Sequence, residues 1–167
     1  LIGDDTDNTI YGYYNENNTI IGNRGNDMLC GGTGNDIYVF NKGDGADTII
    51  DHDGNDMIKF NDFSANDISL RQEFNDVVIT SKDSNDKITI KDFYDNNANA
   101  TSSIKKIIFN DNSVWDYQTI INNSSIKATE ESDKFYLSDK DDIFDALGGD
   151  DEIYGEDGND TLIGGIG

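Results

Sequence analysis

Apolar residues in this chain arrive in short bursts separated by polar turns, and two blocks share one spacing. In the first, Leu29, Tyr38, Ile49 and Ile58 each stand two positions after an aspartate: Asp27, Asp36, Asp47 and Asp56, spaced 9, 11 and 9 residues apart. In the second, Phe135, Phe144, Ile153 and Leu162 follow Asp133, Asp142, Asp151 and Asp160, spaced by 9 throughout. A period of nine fits neither the helical repeat nor the two-residue strand repeat. It fits a turn of about six residues joined to a strand of about three, so that two repeats close one coil. The pattern predicts parallel strands wound as a roll, with the residue two after each aspartate pointing inward. Upstream, Asn8 and Asn18 stand in the aspartate slot of two weaker repeats.

Between the blocks the period is lost. Residues 61–127 contain no glycine and instead show alternating runs: Ile68-Ser69-Leu70, Val77-Val78-Ile79, Lys87 to Lys91, Ile104 to Phe109, and Ser113-Val114-Trp115. Such runs, broken by polar clusters, predict β-hairpins with one buried face, and a helical turn is expected over 92–97. Phe93, Tyr94, Phe109 and Trp115 are expected in the hairpin core. The chain thus divides at the sequence level into residues 1–60, 61–127 and 128–167.

The turns carry the chemistry. Gly22–Cys30 reads GNRGNDMLC and Gly31–Val39 reads GGTGNDIYV. Both follow the pattern G-G-x-G-x-D-x-U-x, in which glycines allow turn conformations that other residues resist. With these residues the chain resembles the RTX (repeats-in-toxin) family of secreted bacterial proteins. The middle segment, ending in Ile104-Lys105-Lys106-Ile107-Ile108-Phe109-Asn110-Asp111-Asn112-Ser113-Val114-Trp115, resembles the haemolysin-type calcium-binding-related domain, with Asn112 where glycine is usual. Asparagine tolerates a left-handed backbone, so the turn is expected to survive. The resemblance implies an all-β fold: two calcium-binding parallel β-rolls flanking a mainly antiparallel hairpin module that caps or spaces them.

Charge bears on the same point. The chain has 34 acidic and 12 basic residues, net −22, and the second block alone holds 13 acidic against 2 basic. Aspartates two repeats apart come together on one side of a roll and repel. Calcium offsets this by gathering six to eight carboxylate and carbonyl oxygens. Several Ca²⁺ ions are therefore expected. The candidate ligands are Asp27, Asp36, Asp47, Asp56, Asp133, Asp142, Asp151 and Asp160. To these the repeat pattern adds the turn residues Gly22, Arg24, Asn26, Gly31, Thr33, Asn35, Asp51, Asp53, Asn55, Gly155, Asp157 and Asn159. The expected ion-sharing pairs are Asp27 with Asp47, Asp36 with Asp56, Asp133 with Asp151, and Asp142 with Asp160. Sites using Asn8 or Asn18, which lack charge, are expected to be weak or empty. So are the glycine-free turns Ala128 to Ser132 and Leu137 to Asp141.

Other function classes fare poorly. A surface this acidic repels phosphate backbones and anionic lipid, which disfavours nucleic acid and membrane-surface partners. No apolar stretch is long enough to span a bilayer, and no basic n-region with an apolar h-region opens the chain. Cys30 stands alone, excluding a disulfide framework, and reads as a small strand residue. His52, the single histidine, falls in a turn, so no Ser-His-Asp or Cys-His arrangement is available and no enzyme activity is expected. The resemblance implies secretion without an N-terminal signal peptide, by the type I route. The chain, whose ends read as interrupted repeats, would belong to a larger toxin or adhesin that folds on meeting calcium outside the cell. The alternatives are an accessory part of a secreted protease, lipase or polysaccharide-modifying enzyme, or a host-cell or glycan-binding module using Tyr11, Tyr13, Tyr14 or Trp115.

Overall fold

Each nonapeptide contributes one short strand. In the computed structural model, which describes residues 1–51, 53–94 and 103–167, the first six strands are β1 (Thr9–Tyr11), β2 (Thr19–Ile21), β3 (Met28–Cys30), β4 (Ile37–Phe40), β5 (Ala46–Ile49) and β6 (Asp56–Phe60). Odd strands stack in one sheet and even strands in another, all parallel. The partners are Ile10 with Leu29, Leu29 with Ile49, Ile20 with Tyr38, and Tyr38 with Ile58. Ile20, Leu29, Tyr38, Ile49 and Ile58 are fully buried between the two sheets, which is the inward position predicted from the spacing.

The middle segment contributes the hairpins that alternation predicts. β7 (Ile68–Glu73), β8 (Asp76–Ser81) and β9 (Lys87–Ile90) form an antiparallel meander, and β10 (Ile104–Ile108) pairs antiparallel with β11 (Val114–Asp116). Asn112 has φ +64°, so it takes the left-handed conformation expected of the residue in the glycine slot.

Two features of this segment differ from a purely hairpin module. β9 lies parallel on β5, and β10 lies parallel on β6, so the roll's two sheets continue into it. Their partners lie tens of residues away, and hairpin periodicity carries no record of them. The second feature is a helix, α1 (Tyr117–Ser124), capped by Asp116, whose carboxylate accepts from the Thr119 N–H at 2.8 Å. Ile120 of α1 is fully buried, and Ser124 meets the Tyr94 hydroxyl at 2.6 Å. Residues 95–97 of the helical turn expected over 92–97 lie outside the described residues, as does His52.

One core runs from the roll into this segment. Phe60 packs on Phe63 and Phe109, and Trp115 meets Phe109 edge-on at 5.0 Å. Phe93 and Phe109 are buried and Trp115 partly so, in keeping with a hairpin-core role.

The last block repeats the roll in miniature. β12 (Lys134–Tyr136) pairs parallel with β14 (Glu152–Tyr154), and β13 (Ile143–Asp145) with β15 (Thr161–Ile163). Its core is small: Phe135, Leu137 and Ala146, with Phe144 against Phe135 at 4.7 Å. Phe74 at the β7–β8 turn lies 5.1 Å from Tyr136, and the Asn75 side-chain amide donates to Asp139 at 2.7 Å. These contacts join the block to the hairpin segment.

Candidate metal centre

Stacked coils bring the slot residues directly over one another. The carboxylate of each upper aspartate caps the main-chain N–H of the slot residue one coil below. Asp27 Oδ1 accepts from Asn8 N at 2.8 Å and Asp47 Oδ1 from Asp27 N at 2.9 Å. On the other side Asp36 Oδ1 accepts from Asn18 N, and Asp56 Oδ1 from Asp36 N, each at 2.6 Å. In the last block Asp151 serves Asp133, and Asp160 serves Asp142, both at 3.0 Å. The four pairs expected from the sequence are therefore neighbours. Asp27 and Asp36 precede strands of different sheets.

This ladder uses one oxygen of each carboxylate. The other oxygen, Oδ2, of Asp27, Asp36, Asp56 and Asp151 is buried without a hydrogen-bond partner among the described residues, as is Asp51 Oδ1. Leaving a buried charged oxygen unpaired costs at least about 1–3 kcal/mol, so each is a place that a further donor or a cation would fill. Asp36, Asp51 and Asp56 converge, with one carboxylate oxygen from each lying within 4.8 Å of the others.

The first residue of the turn is shaped to the same oxygens. A Cβ on Gly22 or Gly155 would overlap Oδ2 of Asp27 or Asp160, and one on Gly31 would overlap carboxylates of both Asp36 and Asp51 and the Tyr38 hydroxyl. Glycine is needed here for space. At Gly54 it is needed for conformation as well, because φ is +110° and the Gly34 carbonyl lies against it.

The remaining candidate turn residues form a second ladder running the other way. Asn35 N donates to Asn17 Oδ1 at 2.8 Å, Asn55 N to Asn35 Oδ1 at 2.9 Å, and Asn159 N to Asp141 Oδ1 at 2.8 Å. Asn26 Oδ1 accepts from Ala46 N, Thr33 pairs with Asn15, and Arg24 reaches the exposed Asp5. Asp53 and Asp157 are exposed. The side chains of Arg24, Asn26, Thr33, Asn35 and Asn159 are thus engaged elsewhere, and these positions can reach an ion through their main-chain carbonyls.

Some slots are closed by the protein itself. Asn18 Nδ2 lies 2.9–3.2 Å from the carbonyls of Tyr13, Glu16 and Gly31 and from Asp36 Oδ1. The amide nitrogen occupies an oxygen cage in the manner of a cation. In the glycine-free turns Thr129 donates to Asp133 Oδ2 through its hydroxyl (2.5 Å) and its N–H (3.1 Å). Ser138 does the same to Asp142 Oδ2, at 2.9 and 3.0 Å. These contacts were not read from the sequence. The signal was a Ser or Thr four residues before the aspartate, a spacing suited to local side-chain capping.

Without a cation the cluster is electrostatically costly. Burial pushes the carboxyls of Asp47 and Asp51 up to about 7 and raises those of Asp27 and Asp56, with neighbouring aspartates adding to each. The Tyr38 phenol is raised for the same two reasons. Unpaired hard oxygens, close carboxylates and a glycine cradle together fit a calcium ion, which takes oxygen ligands at 2.3–2.6 Å.

Comparison with known proteins bears on the same residues. Residues 2–38, 43–62 and 136–167 match the family model described as RTX calcium-binding nonapeptide repeat (4 copies). Residues 76–119 match the haemolysin-type calcium binding protein related domain. The chain is 34% identical over 135 residues to the iron-regulated protein FrpA of Neisseria meningitidis serogroup C, a match covering 78% of this chain and 10% of that protein. The chain thus spans about a tenth of that relative's length. Among solved structures, the extracellular lipase LipA from Serratia marcescens aligns over 98% of this chain and 27% of its own, at 15% identity and a TM-score of 0.32.

Proposed function

The chain belongs to the family of RTX calcium-binding nonapeptide repeat proteins, and from that premise we propose that it is a calcium-dependent folding module of a larger secreted bacterial exoprotein. In this reading the segment has no catalytic activity of its own. It stays unfolded at the low calcium of the cytosol, passes through a type I secretion channel, and winds into rolls outside the cell, where the parent protein acts as a toxin or adhesin.

The observation that carries this reading is the set of buried carboxylate oxygens on Asp27, Asp36, Asp56 and Asp151 that have no hydrogen-bond partner among the described residues. They lie in a chain of net charge −22. Stacking the coils forces these groups together, so the folded state needs divalent charge. Extracellular calcium modules bind at about 10⁻⁴–10⁻³ M. With calcium at ten times the dissociation constant, each filled site stabilises the fold by roughly 1.4 kcal/mol. Sites stacked on neighbours load cooperatively, because each coil contacts only the next.

The test is a calcium titration of the chelator-treated chain followed by far-ultraviolet circular dichroism. A sigmoidal gain of β signal is expected, reversed by excess chelator. A full β spectrum that persists in chelator would overturn the proposal.

A further inference from the structure

Five residues before Asp27, Asp36 and Asp160 stands a glycine, Gly22, Gly31 or Gly155; five before Asp56 stands Asp51. We propose that the Asp51 carboxylate is a third side-chain ligand of one calcium ion held with Asp36 and Asp56, and that this site loads before the others. The inference rests on the calcium reading above and adds to it a distinct ligand and an order of filling.

Three observations carry it. First, one oxygen from each of Asp36, Asp51 and Asp56 lies within 4.8 Å of the others. Two oxygens on one calcium, each at 2.3–2.6 Å, can be at most about 5.2 Å apart, so all three fit around a single ion. Second, Asp36 Oδ2, Asp51 Oδ1 and Asp56 Oδ2 are buried and unpartnered among the described residues, and their parent side chains are 0%, 3% and 0% exposed. Third, Asp51 is held in place on both sides. The Tyr38 hydroxyl donates to Asp51 Oδ2 at 2.5 Å, and Ser103 Oγ donates to the Asp51 carbonyl at 3.0 Å. These two bonds fix the Asp51 main chain and carboxylate together.

The order of loading follows from charge. Among the described residues, Asp36, Asp51 and Asp56 form the one group of three carboxylates whose oxygens all lie within 4.8 Å of one another. The Asp56 N–H is taken by the Ser103 carbonyl at 2.8 Å, where lower coils receive the next aspartate, and the third carboxylate, Asp51, comes from within the same turn. Ligand charge count is a principal determinant of calcium affinity. Tyr38 is a positioning residue: it occupies an inward core position and reaches with its hydroxyl to the ligand, linking the ion to the packing of both sheets.

Isothermal titration calorimetry on the whole 167-residue chain tests this. Asp51→Asn is expected to weaken the tightest calcium step by roughly tenfold or more and leave the calcium-saturated β spectrum unchanged. A parent chain that binds calcium with Asp51→Asn indistinguishable from it overturns the inference alone. A parent chain that takes up no calcium overturns the calcium reading with it. Terbium provides a second readout independent of Asp51 variants. Tyr38→Phe is expected to lose most of the tyrosine-sensitised emission of the first terbium equivalent, and unchanged emission overturns the assignment.

Discussion

The main-chain N–H of Asp36 donates to Oδ1 of Asp56 at 2.6 Å, across one complete coil of twenty residues. That bond gives the aspartate two roles in one side chain. Oδ1 fastens adjacent coils, while Oδ2 is left buried for a cation. The roles separate by substitution. Asp56→Asn keeps an acceptor for Asp36 and removes the charge, so it is expected to raise the calcium needed for half-folding several-fold while increasing residual β signal in chelator. Asp56→Ala removes the acceptor too and is expected to lose a further ~1–3 kcal/mol of calcium-saturated stability in urea melts. Equal behaviour of the two variants would refute the double role.

Paired aspartates are not equivalent in the last block. Asp151 Oδ2 has no partner among the described residues, whereas Asp133 Oδ2 is engaged by Thr129. Asp151→Asn is expected to reduce the number of calcium ions bound, measured by calorimetry. Asp133→Asn is expected to leave that number unchanged. Thr129→Ala should cost about 1 kcal/mol of stability through the lost hydroxyl bond.

Two glycines separate crowding from backbone strain. A methyl group at Gly31 would meet the carboxylates of Asp36 and Asp51 and the Tyr38 hydroxyl, whereas at Gly43, with φ +89°, no described residue lies within 4 Å of the same position. Gly31→Ala is expected to cost about 1–3 kcal/mol and to weaken calcium binding. Gly43→Ala carries only left-handed strain, about 1–2 kcal/mol, with calcium affinity retained. Chemical melts at saturating calcium, paired with calcium titrations, distinguish the two.

Acidity should move the two forms of the chain in opposite directions. Asp47 and Asp51 are raised by burial from 3.8 to about 7 in the metal-free fold. A carboxyl raised on folding binds more protons folded than unfolded. Its contribution is complete below about 4 and is lost as pH rises through about 7. In chelator, lowering the pH from 8 to 5 is therefore expected to increase β signal. Calcium must displace those same protons, so over the same range the calcium midpoint is expected to rise by about tenfold or more. Parallel titrations with and without chelator read both signs, and a shift in the same direction would sink the argument.

Much of the roll is local and was legible from spacing alone. Strand placement, inward residues and the four aspartate pairs follow from a nine-residue repeat, because turn length sets which residues lie one coil above another. The hairpins of the middle segment and the left-handed Asn112 follow from two-residue alternation and turn chemistry for the same reason. Tertiary packing decided the rest. That β9 and β10 continue the roll's sheets depends on partners more than forty residues away, such as Ala46 with Lys87, which no local period encodes. α1 is short, and its burial against the hairpins outweighs its weak sequence signal. Which second carboxylate oxygens meet a hydrogen-bond donor among the described residues was also decided in three dimensions. Asn18 fills one cage with its own amide, Thr129 and Ser138 close two more, and Tyr38 with Ser103 turns Asp51 toward Asp36 and Asp56. An aspartate's place in the repeat decides where its backbone goes. Whether its second oxygen finds a hydrogen-bond donor depends on side chains from neighbouring turns and coils, and that is set only when the chain is wound.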